Sequence, residues 1–137
     1  MIKFQKRSGD DPDFVSLVSL LDAYLAEKDG RDHAFYNQYN GISEIKYAYV
    51  CYFEEKPVSC GAIKEFGKDK MEVKRMFTLP EYRGKGIAGD LLAELEVWAK
   101  ELGAKRVVLE TGKKQIEAIS LYERSGYERI PNYGQYI

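Results

Sequence analysis

Apolar and polar residues recur along this chain at two spacings, and each change of spacing marks an element. Residues 2–8 read as a first strand. Asp11-Pro12 then offers an N-cap side chain followed by a proline at the first helical position, where a missing N–H costs nothing. Phe14, Leu17, Val18, Leu21, Tyr24 and Leu25 keep helical spacing up to a break at 27–30, and 31–45 is expected to be a short helix plus loop without clean periodicity. From 46 to 53 the period drops to two, with Tyr47, Tyr49, Cys51 and Phe53 alternating against Ala48, Val50 and Tyr52. Turns at 54–57 and 67–70 separate this strand from strands at 58–66 and 71–79, so the three form an antiparallel meander. Helical spacing returns at Leu91, Leu92, Leu95, Trp98, Ala99 and Leu102, and Gly103 fits the left-handed position that ends a helix. A buried strand at 106–111, a helix at 115–125 stopped by Gly126, and a last strand at 127–137 complete the order. The pattern predicts an α+β fold: one mostly antiparallel sheet flanked by helices, in a single domain spanning 1–137.

Between the meander and the second long helix lies Arg83-Gly84-Lys85-Gly86-Ile87-Ala88-Gly89. A helix that starts from a glycine-bearing turn offers amides with no intrahelical partner, and its dipole adds partial positive charge there. Arg83 and Lys85 bring full charges to the same place, so a phosphate-bearing ligand is expected. Two patterns fit. Gly84-x-Gly86-x-x-Gly89 with Glu110 some 20 residues on matches a dinucleotide fingerprint. Its surroundings do not, because Pro80 to Arg83 separate the glycines from the strand, and that strand carries Glu72, Lys74 and Arg75 where a parallel sheet needs an apolar run. A nucleoside-triphosphate loop would need Gly-Lys-Ser/Thr, which does not occur.

The second pattern is Arg-x-x-Gly-x-Ala at 83–88, behind a strand ending Met76-Phe77-Thr78, with Ala118-x-x-Leu121-Tyr122-x-x-x-Gly126-Tyr127 downstream. Together these resemble the GCN5-related N-acetyltransferase family. The resemblance implies the acyl-CoA N-acyltransferase fold and acetyl-CoA as co-substrate. Its pyrophosphate would lie on the amides of Arg83, Gly84, Lys85, Gly86, Ile87 and Ala88. It also implies that Met76, Phe77 and Thr78 offer backbone groups to the pantetheine arm, and that Tyr122 donates a proton to the departing sulfur. Gln115 stands where the family often has asparagine and keeps an amide donor and acceptor for pantetheine. Asp90, where the family often has a basic or neutral residue, is a departure. The family continues into a strand that pairs with the last one here: either the sheet is shorter, a partner supplies that strand as in a homodimer, or the sequence was cut.

Composition narrows the function classes. The 137 residues are 45% hydrophobic and 31% charged with a formal net charge of −1, which leaves no electrostatic footprint for nucleic acid. No apolar run approaches a membrane span, and the first residues do not begin a signal peptide. Cys51 and Cys60 without a CxxC, beside one histidine in the chain, point to reduced thiols in a cytoplasmic protein and no metal site.

Acetyl transfer then sets the chemistry to look for. Deprotonating an alkylamine near pKa 10.4 at pH 7 costs about 4.6 kcal/mol, which a positioned base must offset. Glu72 is the candidate, sharing a strand face with Lys74 and Met76; the alternative is a solvated strand residue paired with a lysine. Tyr122 as proton donor competes with a packing role beside Gln115, Ala118 and Ile119. Lys113-Lys114 could meet the nucleotide 3′-phosphate or begin a helix in solvent, and His33 is left outside the catalytic set. The acceptor pocket is expected between 31–45, the turn at 66–70 and the tail at 130–136. These segments are rich in tyrosine and amide side chains and suit a small polar amine such as an amino acid or polyamine. The competing reading is a module of the same fold that holds coenzyme A without turnover.

Overall fold

The computed structural model describes residues 2–29, 45–109 and 121–127. Its elements follow in the order β1 (Ile2–Arg7), α1 (Pro12–Asp29), β2 (Tyr47–Phe53), β3 (Lys56–Glu65), β4 (Lys70–Thr78), a 3-10 turn at Pro80–Tyr82, α2 (Ile87–Glu101) and β5 (Arg106–Leu109). The sheet runs β1-β2-β3-β4-β5, antiparallel up to β4 and parallel between β4 and β5. The change to a parallel pair follows from α2, which carries the chain back across one face before β5 begins.

Local chemistry accounts for each junction. Asp11 caps α1 as its spacing suggests: its carboxylate accepts the Phe14 amide at 3.1 Å, and its carbonyl accepts from Val15 at 2.9 Å. The β2–β3 turn is tighter than the four residues expected. Glu54 and Glu55 both adopt left-handed φ, 49° and 72°, and Phe53 pairs with Lys56, so this is a two-residue hairpin. Pro57 therefore lies inside β3, which it tolerates because it sits at the strand end beside a register shift, where the ladder needs no donor from it. Helix α2 ends with paired bonds from Gly103 to the Lys100 carbonyl and from Ala104 to the Ala99 carbonyl, both 3.0 Å, with Gly103 at φ 98°. Leu102 becomes the C-cap and is exposed, so the apolar stripe closes at Ala99 instead of Leu102.

Both faces of the sheet are covered. Phe14, Leu17, Val18 and Leu21 of α1 pack on Ala48, Val50, Cys60, Ala62 and Phe77. Leu91, Leu92, Leu95 and Ala99 of α2 pack on Tyr49, Ile63, Met71 and Val73 from the other side. Each leucine buried in this way is worth roughly 1.5–3 kcal/mol. Gly61 is the point of closest approach on the α2 side, where an added Cβ would collide with Met76 Sδ and lie 2.9 Å from Leu95 Cδ1. Gly61→Val is therefore expected to cost about 1–3 kcal/mol through overpacking, which lowers the melting temperature by roughly 4–12 °C. Calorimetry checks this, and an unchanged transition would contradict the close packing of α2 on β3.

Candidate active site

The loop before α2 is shaped by two glycines and one apolar pin. The chain leaves β4 through the 3-10 turn, closed by Tyr82 N to Leu79 O at 2.9 Å and Arg83 N to Pro80 O at 3.3 Å. Gly84 and Gly86 then take φ of 76° and 82°, conformations that side chains strongly disfavour. Gly86 is the N-cap of α2 and supplies no side-chain bond to the first turn. Asp90 N, 3.0 Å from Gly86 O, is the first amide of this stretch with a backbone acceptor; among the described residues those of 84–89 have none. Ile87, buried with Cys51 and Val58, anchors the helix start to the sheet. Asp90 and Lys85 are both exposed. A row of unpaired amides at a helix start, beside an exposed ammonium, is a donor set that fits a diphosphate.

Arg83 is placed differently from Lys85. Its Nε donates to Thr78 O at 2.9 Å, and its guanidinium lies over Tyr24 of α1 at 5.3 Å and over Phe77 at 5.6 Å. It is half-buried and braces the end of β4 against α1, so Lys85 is the more accessible of the two loop cations.

The C-terminal end of β4 leads into this loop. Among the described residues, pairing with β5 runs from Lys70 opposite Arg106 to Val73 opposite Leu109. Met76, Phe77 and Thr78 follow this paired stretch toward the loop. A register shift on the β3 side sets Arg75 and Met76 opposite the single residue Gly61. Met76 packs on the α2 side and Phe77 on the α1 side. The Phe77 carbonyl already accepts from Ser59 Oγ at 2.9 Å, and Ser59 Oγ lies 2.8 Å from Thr78 Oγ1. The Phe77 carbonyl retains a second lone pair.

Tyr122 and Glu72 sit on opposite sides of the sheet. Residues 121–124 are helical and end at Gly126, φ 91°, with Gly126 N to Glu123 O at 3.2 Å and Tyr127 N to Tyr122 O at 3.0 Å. This closure fixes Tyr122 against the α2-side cluster that Met76 also borders. Its ring centroid is 5.9 Å from that of Tyr127, whose hydroxyl donates to Glu96 of α2 at 2.6 Å. Burial pushes the Tyr122 phenol up to about 12. Glu72 faces the α1 side, opposite Lys64 in register. It is buried, not solvated, and lies 3.4 Å from the Lys74 ammonium.

Sequence reasoning missed Arg75, Asp22, Tyr24 and Ser59 as parts of this region. One signal for Arg75 was present: with Glu72 and Lys74 on one face, a charge at 75 falls among Met71 and Val73 and breaks the alternation. Gln115, His33, Lys113, Lys114 and Glu110 lie outside the described residues, as do 31–44 and 130–136 of the expected acceptor pocket. A polar cavity of about 680 Å³ lined by Lys3, Gln5, Arg7, Asp13 and Tyr52 lies at the β1 side of the sheet and includes none of the residues above.

Comparison with known proteins places this geometry. A family model described as the acetyltransferase (GNAT) family matches residues 14–127. The chain is 38% identical over 96 residues to the uncharacterized N-acetyltransferase YjgM of Escherichia coli (strain K12), a match that takes in 67% of this chain and 58% of YjgM. It is 34% identical over 127 residues to the IAA acetyltransferase of Azospirillum brasilense, with 89% of this chain and 81% of that protein covered. Among solved structures, one from Klebsiella pneumoniae assigned as an acyl-CoA N-acyltransferase superposes with a TM-score of 0.82 at 28% identity, over 99% of this chain and 89% of that one. A Clostridium acetobutylicum acetyltransferase crystallised with acetyl-CoA shares the fold, with a TM-score of 0.66 at 19% identity over 98% of this chain and 95% of that one.

Proposed function

Because the chain belongs to the acetyltransferase (GNAT) family, we propose that it transfers an acetyl group from acetyl-CoA directly to the amine of a small molecule. The observation that carries this is the row of amides at 84–89 that have no backbone acceptor among the described residues, at the start of α2 and after the end of β4. In this reading the amides from Gly84 to Ala88 and the Lys85 ammonium hold the pyrophosphate, whereas the Arg83 amide, expected in the same set, is already bonded to the Pro80 carbonyl. Met76, Phe77 and Thr78 line the pantetheine slot, with Gln115 as a further contact. The thioester then lies near the bulge. The neutral amine attacks its carbonyl carbon, a C–N bond forms, and the C–S bond breaks. The departing thiolate takes the Tyr122 proton, and the ammonium proton of the amide being formed passes to a base. Tyr122 recovers its proton from solvent.

Glu72 is the proposed base, acting through water. Its ion pair with Lys74 must open or share a lone pair for this to happen. Such a requirement favours a second reading, in which the chain holds coenzyme A without turnover. The acceptor class rests on the tyrosine and amide side chains of 31–45 and 130–136. The two free, buried cysteines suit a reducing, cytoplasmic setting.

A thermal-shift panel with an amine screen tests the proposal. Coenzyme A and acetyl-CoA are expected to stabilise the chain by about 2.7 kcal/mol at a hundredfold excess over Kd, and NAD not at all. Acetylation of a small amine supports turnover. Stabilisation by coenzyme A with no amine ever acetylated would leave the binding module, and stabilisation by NAD alone would overturn both.

A further inference from the structure

We propose that the hydrogen bond from Tyr127 to Glu96 is a positioning device for acyl transfer, holding the Tyr122 phenol at a fixed place along α2. The inference rests on the acetyl-transfer reading above and extends it to two residues that reading does not use.

The turn that carries Tyr122 is shaped by its own backbone. Ser125 N donates to Leu121 O and Tyr127 N to Tyr122 O, both at 3.0 Å, and Gly126 closes the segment with φ 91°. These bonds set the conformation of 121–127 and lie within it, so docking falls to side chains. Tyr122 and Tyr127 both pack on the α2-side cluster that holds Leu91, Leu92 and Leu95. Apolar packing has no preferred direction and leaves a ring free to slide within the cluster. The Tyr127 hydroxyl supplies the direction, because it donates to Glu96 Oε2 at 2.6 Å, in the short range of a bond to a carboxylate. Glu96 is half-buried, unlike Glu94 and Glu101 on the same helix, which are exposed. Burial first, then the Glu96 bond and charge, raise the Tyr127 phenol well above its ordinary value, so this donor keeps its proton at physiological pH.

Tyr127 passes this placement to Tyr122 in two ways. Its amide holds the Tyr122 carbonyl, and its ring lies 5.9 Å from the Tyr122 ring, centroid to centroid, at 58°. The tie also refers both ends of the proposed site to one rigid element. Helix α2 starts at the loop assigned to the diphosphate, and Glu96 lies nine residues beyond Ile87, roughly 13.5 Å along the helix axis. A proton donor anchored at that point keeps a set distance from the loop that holds the other end of the cofactor. A misplacement of about 1 Å is enough to cost a large part of the rate.

The test uses the full chain and the variants Tyr127→Phe, Glu96→Gln and Glu96→Leu, each alone and combined with Tyr122→Phe. Glutamine keeps an acceptor at 96, so that variant remains informative if leucine there prevents folding. Tyr127→Phe should lose about tenfold or more in kcat with KM for acetyl-CoA within about twofold, and Glu96→Gln should keep more of kcat than Glu96→Leu. In the Tyr122→Phe background, Tyr127→Phe should change kcat by less than about twofold, because no phenol is left to place. In Glu96→Leu or Glu96→Gln without ligand, the Tyr122 ring resonances are expected to move. A lowered melting temperature with kcat as in wild type would overturn the proposal. So would a loss confined to KM, or an equal loss of kcat from Tyr127→Phe whether or not Tyr122 keeps its hydroxyl. If wild type acetylates no amine, the function proposed above fails, and the Tyr122 ring resonances alone then decide: moved by the Glu96 variants they uphold the tie, and unmoved they overturn it.

Discussion

Replacing Gly84 and Gly86 together by valine is expected to weaken coenzyme A binding by about 10- to 100-fold while the chain still unfolds cooperatively. Neither position is crowded, since a Cβ at each meets nothing within 4 Å. The penalty is conformational. Both residues hold left-handed φ, 76° and 82°, which costs an L-residue roughly 1–2 kcal/mol apiece and a β-branched one more. At about 1.4 kcal/mol per decade, partial relaxation of the loop leaves one to two decades of lost affinity. Gly103 provides the control, because it has φ 98° at the far end of α2. Gly103→Val should lower the melting temperature comparably and leave coenzyme A affinity unchanged. Titration calorimetry separates the two; equal affinities in the loop variant and wild type would mean that the loop does not shape the site.

Tyr122→Phe should lower kcat by about 100-fold, the lower range for one positioned proton donor, with KM for acetyl-CoA within twofold. Phenylalanine keeps the packing against the α2-side cluster and the ring contact with Tyr127, so the melting temperature should hardly move. A phenol near 12 is protonated throughout the physiological range, but it is a weaker acid than a thiol near 8.5. It can give up its proton only as the C–S bond breaks, so its titration should leave no limb in the pH–rate profile below about pH 10. The linkage for folding has a definite sign: the folded pKa lies above the unfolded value of 10.0, so stability is intact below pH 10 and is lost as pH rises from 10 through about 12. Full activity in Tyr122→Phe would make Tyr122 a packing residue.

The parts that local chemistry determines were legible in the sequence. The Asp11 cap, the meander, the α2 stripe as far as Ala99 and the Gly103 and Gly126 stops each depend on a few neighbouring residues, and each is found where spacing puts it. The parts that depend on distant partners were not. For Glu72, read either as a candidate base or as a solvated residue, the burial was not legible because it comes from packing of the sheet that no strand pattern encodes. The fold-back of Arg83 over Tyr24 and the pairing of Arg75 with Asp22 both join residues that lie far apart in sequence. The two-residue turn at Glu54-Glu55 lacks the glycine or asparagine that usually announces it.

The central claim, that the main chain ahead of α2 grips the diphosphate of coenzyme A, is tested most directly by following backbone amide resonances during titration with coenzyme A. The largest shifts are predicted at Gly84 to Gly89, with slowed hydrogen exchange there. Shifts centred instead on Lys3, Arg7 and Tyr52 at the β1-side cavity, with residues 84–89 unmoved, would contradict it.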